Sequence, residues 1–119
     1  MIEAERINKR KAGNGFMKPI VEICCGSYYD ARQAFLGGAE RIELNTALML
    51  GGLTPTVSTL TMVKEEMPGL KVVAMVRPRG AGFCYSSEDF KVMEAECRML
   101  VSRRYCLWML KRGCFPGSR

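Results

Sequence analysis

The chain has 119 residues, of which 48% are hydrophobic and 25% are charged. That length is enough for one small domain with its own core, and the composition is typical of a globular rather than a disordered protein. No apolar run approaches the roughly 18 residues that a membrane helix needs, which excludes a membrane-spanning protein. The first 18 residues lack the hydrophobic stretch of a secretory signal, so we expect a cytoplasmic protein.

The formal net charge of +6 comes from the two ends of the chain. Residues 102–119 hold five basic and no acidic residues, whereas residues 19–101 hold eight basic and ten acidic ones. A nucleic-acid-binding face is expected on the folded body, so we predict neither a nucleic-acid nor a membrane partner. The predicted regions are a flexible basic leader (1–18), one domain (19–101) and an atypical basic tail (102–119).

Sulfur is abundant and imidazole is absent: the chain has six cysteines and no histidine. A disulfide scaffold is expected in secreted proteins, and no C-x-x-C zinc pair occurs here. The lack of histidine excludes mixed Cys/His zinc sites and histidine general bases. Soft sulfur ligands favour Cu(I) among the first-row metals.

Apolar runs and helical patterns alternate between residues 20 and 101. Strands are predicted at 20–24, 41–44 and 71–76, each followed by a helix, at 27–36, at 56–67 and from Ser86 onward. Ser86 and Asp89 have the spacing of a capping box. The expected buried positions of the second and third helices are Leu60, Val63 and Met67, then Val92, Met93, Cys97 and Leu100.

This βαβαβα pattern predicts an α/β fold with parallel strands and right-handed crossovers. Each unit takes about 27 residues, so eight units would approach the ~250 residues of a (β/α)8 barrel. We therefore predict a partial (β/α)8 TIM barrel with three βα units.

The tail after Val101 has two interpretations. One is a segment foreign to the domain, as an alternative transcript or a gene-model error would produce. The other is a helix from Arg103 to Arg112 that packs Leu107, Trp108 and Leu110 on the core.

Strand phase groups polar side chains at one end of the sheet. Glu22 and Cys24 face the same side, as do Arg41, Glu43 and Asn45 on the next strand. Buried carboxylates need partners, and Arg41 and Arg77 are the candidates. The group at the barrel mouth is then either a ligand or metal site or a structural layer of ion pairs; its members are Glu22, Cys24, Glu43, Asn45 and Arg77.

Three cysteines are candidate metal ligands. Cys24, at a strand end beside Glu22, is either a ligand or a core residue, and the adjacent Cys25 fits a small core hydrophobe. Cys84 lies in a loop where a reactive or metal-binding thiol is expected. Cys97 lies on an apolar helix face.

The loop from Arg77 to Ser86 has the composition of a binding loop, since it holds two arginines, a proline, glycines and a thiol. Arg77 and Arg79 could together clamp a carboxylate or a phosphate. In the alternative, Arg77 pairs with a strand carboxylate and Arg79 is solvated.

Four motifs in register resemble the copper homeostasis protein CutC family over about residues 19–101, and residues 11–16 resemble the leader of its animal members. The motifs are Glu22-Ile23-Cys24-Cys25, Gly38-Ala39-Glu40-Arg41-Ile42-Glu43-Leu44, Gly51-Gly52-Leu53-Thr54-Pro55 and Arg77-Pro78-Arg79-Gly80 with Phe83-Cys84-Tyr85-Ser86.

The resemblance implies a (β/α)8 barrel that is cytoplasmic and partly nuclear, self-associates and handles Cu(I), with no assigned reaction. It also implies that Cys24 is a copper ligand. Asn45 stands where the family has the partner cysteine, and Ala81-Gly82 stands where it usually has Gly-Asp.

Three functional hypotheses follow. The first is a CutC-like fragment or short isoform that binds Cu(I) through Cys24, with Cys25 or Cys84 as second ligand. The second is a barrel enzyme that holds a small anionic metabolite with Arg77 and Arg79. The third is a truncated product without function, because a parallel sheet with open edges is prone to aggregate.

Overall fold

The computed structural model describes residues 18–109, without the side chains of residues 106–109. Strands and helices alternate along these residues, in the predicted order. They are β1 (Glu22–Cys25), α1 (Tyr28–Leu36), β2 (Arg41–Leu44), a 3-10 helix (Leu48–Leu50), α2 (Val57–Glu66), β3 (Lys71–Val76), α3 (Ser87–Ser102) and β4 (Cys106–Met109). None of the described helices has the length and apolar character needed to cross a membrane.

The four strands form one parallel sheet in the order β1-β2-β3-β4. Its register places Cys24 opposite Glu43, and Glu43 opposite Val73. Each of the first three strands is followed by a helix, as right-handed crossovers between neighbouring parallel strands require. The architecture is α/β and is that of a partial (β/α)8 barrel, as predicted.

The core lies between the helices and one face of the sheet. Fully buried strand residues there alternate with residues of the opposite face, as the two-residue period of a strand requires. Leu60, Val63 and Met67 of the α2 segment pack on them, as predicted. The buried strand residues of this core are Cys25, Ile42, Leu44, Ala74 and Val76.

Helix α3 begins at the predicted capping box. Ser86 Oγ accepts a hydrogen bond from the Asp89 amide, and the Asp89 carboxylate accepts one from the Ser86 amide. Met93 and Leu100 are buried, whereas Val92 is 49% exposed. The prediction that Val92 belongs to the buried face is wrong, because it is one residue, about 100° of helix, from Met93.

The alternative that predicted a helix from Arg103 to Arg112 is wrong for residues 103–109, the part that the structure describes. Helix α3 ends at Ser102, the Tyr105 amide bonds the Leu100 carbonyl and the Arg104 amide bonds the Val101 carbonyl. This is a Schellman motif, which turns the chain out of the helix. The chain then adds β4, a fourth strand that the sequence analysis did not predict, parallel to β3.

The predicted leader, apart from Lys18, and the part of the predicted tail beyond Met109 lie outside the described residues. Residues 102–109 of that tail continue the fold, since they end α3 and form β4.

The capping box gives a direct test of the α3 boundary. Replacing Ser86 with alanine removes the acceptor of the Asp89 amide and should lower the free energy of unfolding by about 1 kcal/mol. Urea unfolding of the 119-residue chain measures this change. Ser87→Ala is the matched control, because Ser87 Oγ donates to the exposed Glu88 carboxylate and does not cap the helix. Equal losses in the two variants would contradict the assignment of Ser86 as the cap.

Candidate functional site

The sheet face turned away from the helices, here termed the inner face, carries the polar strand residues. Glu22 and Cys24 of β1 are exposed there, and Arg41 and Glu43 of β2 are half-buried. Glu22 lies opposite Arg41 in the register, and the two side chains form an ion pair. The predicted pairing of Glu22 with Arg41 is thus present. Both side chains are about a third exposed, so solvent screens the pair and its contribution to stability is small.

Asn45 links Cys24 to Glu43. Its Nδ2 donates to Glu43 Oε1 at 2.9 Å and approaches Cys24 Sγ at 3.5 Å, and its side chain is almost fully buried. We predicted that the Glu43 carboxylate would pair with Arg41 or Arg77. In the structure it instead accepts a hydrogen bond from the Asn45 amide. A thiol, a carboxylate and an amide therefore meet at the carboxyl end of β1 and β2.

The electrostatic surroundings of Cys24 are acidic. Partial burial, and then the charges of Glu43, Glu22 and Asp30, raise the pKa of its thiol above the ordinary value. Because its pKa is raised, the free Cys24 side chain stays protonated. The thiolate is the form that binds metal ions, so binding requires loss of this proton. The same carboxylates attract a cation, which is the species that can displace the thiol proton.

Cys25 lies on the other side of the strand. It is fully buried in the core, its thiol lies 3.6 Å from the Ile23 carbonyl oxygen, and burial raises its pKa to about 11. Consecutive strand residues point to opposite faces, so Cys24 and Cys25 do not converge on one ion. The structure places Cys25 in the core and does not bring it to the inner face.

A loop over residues 46–54 folds across the carboxyl end of the sheet and is held there by Arg77. Thr46 and Leu53 exchange both backbone hydrogen bonds, at 3.0 and 2.8 Å. The Arg77 guanidinium donates to the carbonyls of Leu50 at 2.7 Å and Gly52 at 3.2 Å. Arg77 is 3% exposed, and these two bonds, both donated by Nη1, replace part of its lost hydration.

The two glycines of the Gly51-Gly52 motif allow this close approach. Both have φ near +87°, and a Cβ at Gly51 would lie 2.8 Å from the Arg77 guanidinium. A Cβ at Gly52 would lie 2.5 Å from the Asn45 side-chain oxygen. A larger residue would thus combine backbone strain with a clash. The motif is explained by the fit of the loop to Asn45 and Arg77.

Thr54 ties this loop to β3 and α3. Its hydroxyl accepts from the Arg77 amide at 2.9 Å and donates to Glu96 at 2.9 Å, and its own amide donates to the Arg77 carbonyl at 3.0 Å. Burial raises the pKa of Glu96. The Thr54 hydroxyl thus connects the end of β3 to helix α3.

Arg79 braces the loop that precedes α3. Its guanidinium pairs with Asp89 at 2.8 Å and donates to the carbonyls of Gly80, Ala81 and Cys84 at 2.9, 3.0 and 2.7 Å. The alternative in which Arg79 is solvated and Arg77 pairs with a strand carboxylate is not what the structure shows.

The same loop also places Phe83 against Arg77, whose guanidinium carbon lies 4.7 Å from the centre of the ring. Cys84, the next residue, is exposed.

The structure thus brings Glu22, Cys24, Glu43 and Asn45 together and uses Arg77 and Arg79 to hold loops. Among the described side chains, those of residues 18–105, no three of cysteine, aspartate, glutamate or histidine are placed to hold a metal ion together. Sequence reasoning missed the contact of the 46–54 loop with Arg77. The Gly51-Gly52-Leu53-Thr54 motif signals a tightly folded loop, but it does not indicate that the loop contacts Arg77.

Comparison with known proteins gives a consistent result. The model of the CutC family matches residues 19–106, five residues beyond the predicted end of the resemblance. A CutC family protein of Treponema denticola is 53% identical over 81 residues, which are 68% of this chain and 32% of that protein. The human copper homeostasis protein cutC homolog is 43% identical over 96 residues, 79% of this chain and 34% of that protein.

A solved structure supports the fold. A Streptococcus agalactiae protein described as a copper homeostasis protein CutC superimposes with a TM-score of 0.67 at 26% identity. The match covers 74% of this chain and 43% of the other. Measured against the Treponema denticola and human relatives, this chain spans about a third of their length.

The acidic environment of Cys24 predicts slow thiol alkylation. Among the carboxylates that raise the pKa of Cys24, Glu43 has the largest effect, so Glu43→Gln should lower that pKa. The reaction of Cys24 with iodoacetamide at pH 7.5 should then become faster, because the thiolate is the reacting form. Mass spectrometry of timed samples measures the rate. Cys25 should stay unmodified in the folded chain.

Glu65→Gln serves as the control for this rate, since Glu65 lies on helix α2 and does not contribute to the raised pKa of Cys24. A rate in Glu43→Gln equal to that of the control would contradict the electrostatic account of this thiol.

Proposed function

Because the chain belongs to the CutC family, we propose that it takes part in copper homeostasis by binding Cu(I) through the Cys24 thiolate. The observation that carries the proposal is the position of Cys24, exposed on the inner face beside two carboxylates and the Asn45 amide. Thiolate is the preferred ligand of Cu(I), and nearby negative charge favours the bound cation. Copper is the cargo in this proposal, and no reaction is assigned.

The donor set supports one protein thiolate at this point. Cys25 belongs to the core on the other face, and Asn45 supplies an amide that donates to the thiol. Cys84, which is exposed in the loop between β3 and α3, is the protein thiol proposed as second ligand. Alternatively, a small cellular thiol that carries Cu(I) supplies the second sulfur ligand.

The carboxylates contribute to the site without acting as soft ligands. Glu43 lies opposite Cys24 in the register and Glu22 is two residues before it, so both act through their charge. We propose the cytoplasm, and in animals also the nucleus, as the location, and self-association of the barrel as the assembled state; both come from the family resemblance.

The enzymatic hypothesis loses its main support. It required Arg77 and Arg79 to hold an anionic metabolite, yet Arg77 is buried against two backbone carbonyls and Arg79 binds three carbonyls and Asp89. These bonds would have to be broken to bind a substrate. The arginines are better explained as supports of the two loops at the mouth.

A Cu(I) titration tests the proposal. The chain, kept reduced and free of oxygen, competes with a chromophoric Cu(I) chelator for the ion. We expect one equivalent bound with an affinity that increases from pH 6 to pH 8, because binding releases the proton of a thiol whose pKa is raised. Cys24→Ser should weaken binding by roughly tenfold or more, equivalent to about 1.4 kcal/mol.

Two further variants locate the second ligand. Cys97→Ser is the control, since Cys97 is a half-buried thiol on helix α3. Cys84→Ser should weaken binding only if Cys84 is the second protein ligand. Unchanged Cu(I) affinity in Cys24→Ser would refute the proposed role of that residue.

A further inference from the structure

Four cationic side chains surround a cleft at the end of the sheet opposite to Cys24, where β2 and β3 begin. The cleft has a volume of about 350 Å³ and is lined by the end of α2, the start of β3 and the turn after α3. None of the described residues that line it carries a carboxylate. The four cations are Arg41, Lys64, Lys71 and Arg104.

Three of these cations have no carboxylate partner among residues 18–105. Arg41 pairs with Glu22, whereas Lys64, Lys71 and Arg104 form no ion pair with other described side chains. Lys64 is held in place, since its ammonium donates to the Arg103 carbonyl at 2.9 Å and lies 5.0 Å from the centre of the Tyr105 ring. Like charges gathered in one cleft repel each other, and an anion between them relieves that repulsion.

Part of this positive charge complements the carboxyl ends of the helices. Lys64 lies in the last turn of α2 and Arg104 follows α3, where cations interact favourably with the helix dipole. That argument does not apply to Arg41 and Lys71, which begin strands. The cleft therefore carries more positive charge than the helix ends account for.

The backbone at Arg104 is the second observation. Arg104 occupies the position after the helix cap in the Schellman motif, with φ of 63°, where glycine is the favoured residue. An arginine there strains the backbone. Its position brings the Arg104 residue into the lining of the basic cleft.

The cleft also has an apolar surface. Leu70, Val72 and Val73 form part of the lining, and Tyr105 is 8% exposed beside them. Cations next to apolar and aromatic surface suit a ligand that has a charged end and an organic body. Phosphate oxygens accept bonds from guanidinium and ammonium groups.

We propose that this basic cleft binds a small phosphorylated ligand, with its phosphate held by Lys71 and Arg104 and its organic part against the apolar lining. The cleft is at the opposite end of the strands from Cys24, so the proposal is independent of copper binding.

Calorimetric titration of the 119-residue chain with phenyl phosphate and with inorganic phosphate tests the proposal. Phenyl phosphate should bind saturably, one per chain, and more tightly than inorganic phosphate. Lys71→Gln and Arg104→Gly should each weaken phenyl phosphate binding roughly tenfold, as expected for the loss of a charge-assisted hydrogen bond. Arg104→Gly should unfold at an equal or higher temperature, because glycine relieves the backbone strain.

Arg98→Gln is the matched control, because it removes one charge from an exposed position on α3 that lies outside the cleft and, among residues 18–105, pairs with Glu94. Its affinity for phenyl phosphate should equal that of the unmodified chain. Absence of saturable binding, or equal weakening in Arg98→Gln, would overturn the proposal. Tighter binding of a short single-stranded RNA, displaced by phenyl phosphate, would overturn it in favour of a nucleic-acid site.

Discussion

The carboxyl end of this sheet depends on the hydrogen bonds that the buried Arg77 guanidinium donates to the loop over residues 46–54. The guanidinium is a charge removed from water, and its hydrogen-bond acceptors are backbone carbonyls of the 46–54 loop. Removing a buried charge from its acceptors is costly, so the loop and the end of β3 are held together. Thr54 adds bonds to the Arg77 backbone and to Glu96, which join the loop to α3.

The position of Asn45 follows from this arrangement. Asn45 lies at the end of β2, under the loop, and Gly52 packs so closely on it that a Cβ would lie 2.5 Å from its side-chain oxygen. The buried amide is thereby directed towards Glu43 and Cys24. A thiol on the exposed β1 strand is thus coupled through one amide to a loop that Arg77 fixes from β3.

The chemistry at Cys24 is that of a protonated thiol in an acidic surrounding. Such a thiol is a poor nucleophile at neutral pH, since its thiolate fraction is small. In the proposed function a soft cation replaces the proton, and the carboxylates that oppose ionisation would then favour the bound ion. This distinction separates a metal-binding role from a catalytic one at the same residue.

The sequence was sufficient for the elements with strong local signals. The apolar run at 72–76, the spacing of Ser86 and Asp89, and the helix face with Leu60, Val63 and Met67 all predict what the structure contains. The pairing of Glu22 with Arg41 was predictable because strand phase and parallel order place both on the inner face.

Other features depend on contacts that no local pattern encodes. Arg77 was expected to meet a carboxylate, but the loop backbone reaches it first because two glycines let it approach. Strand β4 was missed because the basic residues around it suggested a tail, and the turn before it uses an arginine where glycine is expected. Cys84 and Cys25 were grouped with Cys24 by residue type, whereas burial and strand phase separate Cys25 from it.

Hydrogen exchange of the loop amides tests the role of Arg77 most directly. In Arg77→Gln the amides of Thr46 and Leu53, which bond each other across the loop, should exchange much faster than in the unmodified chain. The Asn45 amide, which bonds Cys25 within the sheet, should change far less. Unchanged exchange at Thr46 and Leu53, or equal acceleration at all three amides, would contradict the account of Arg77 as the residue that fixes the loop.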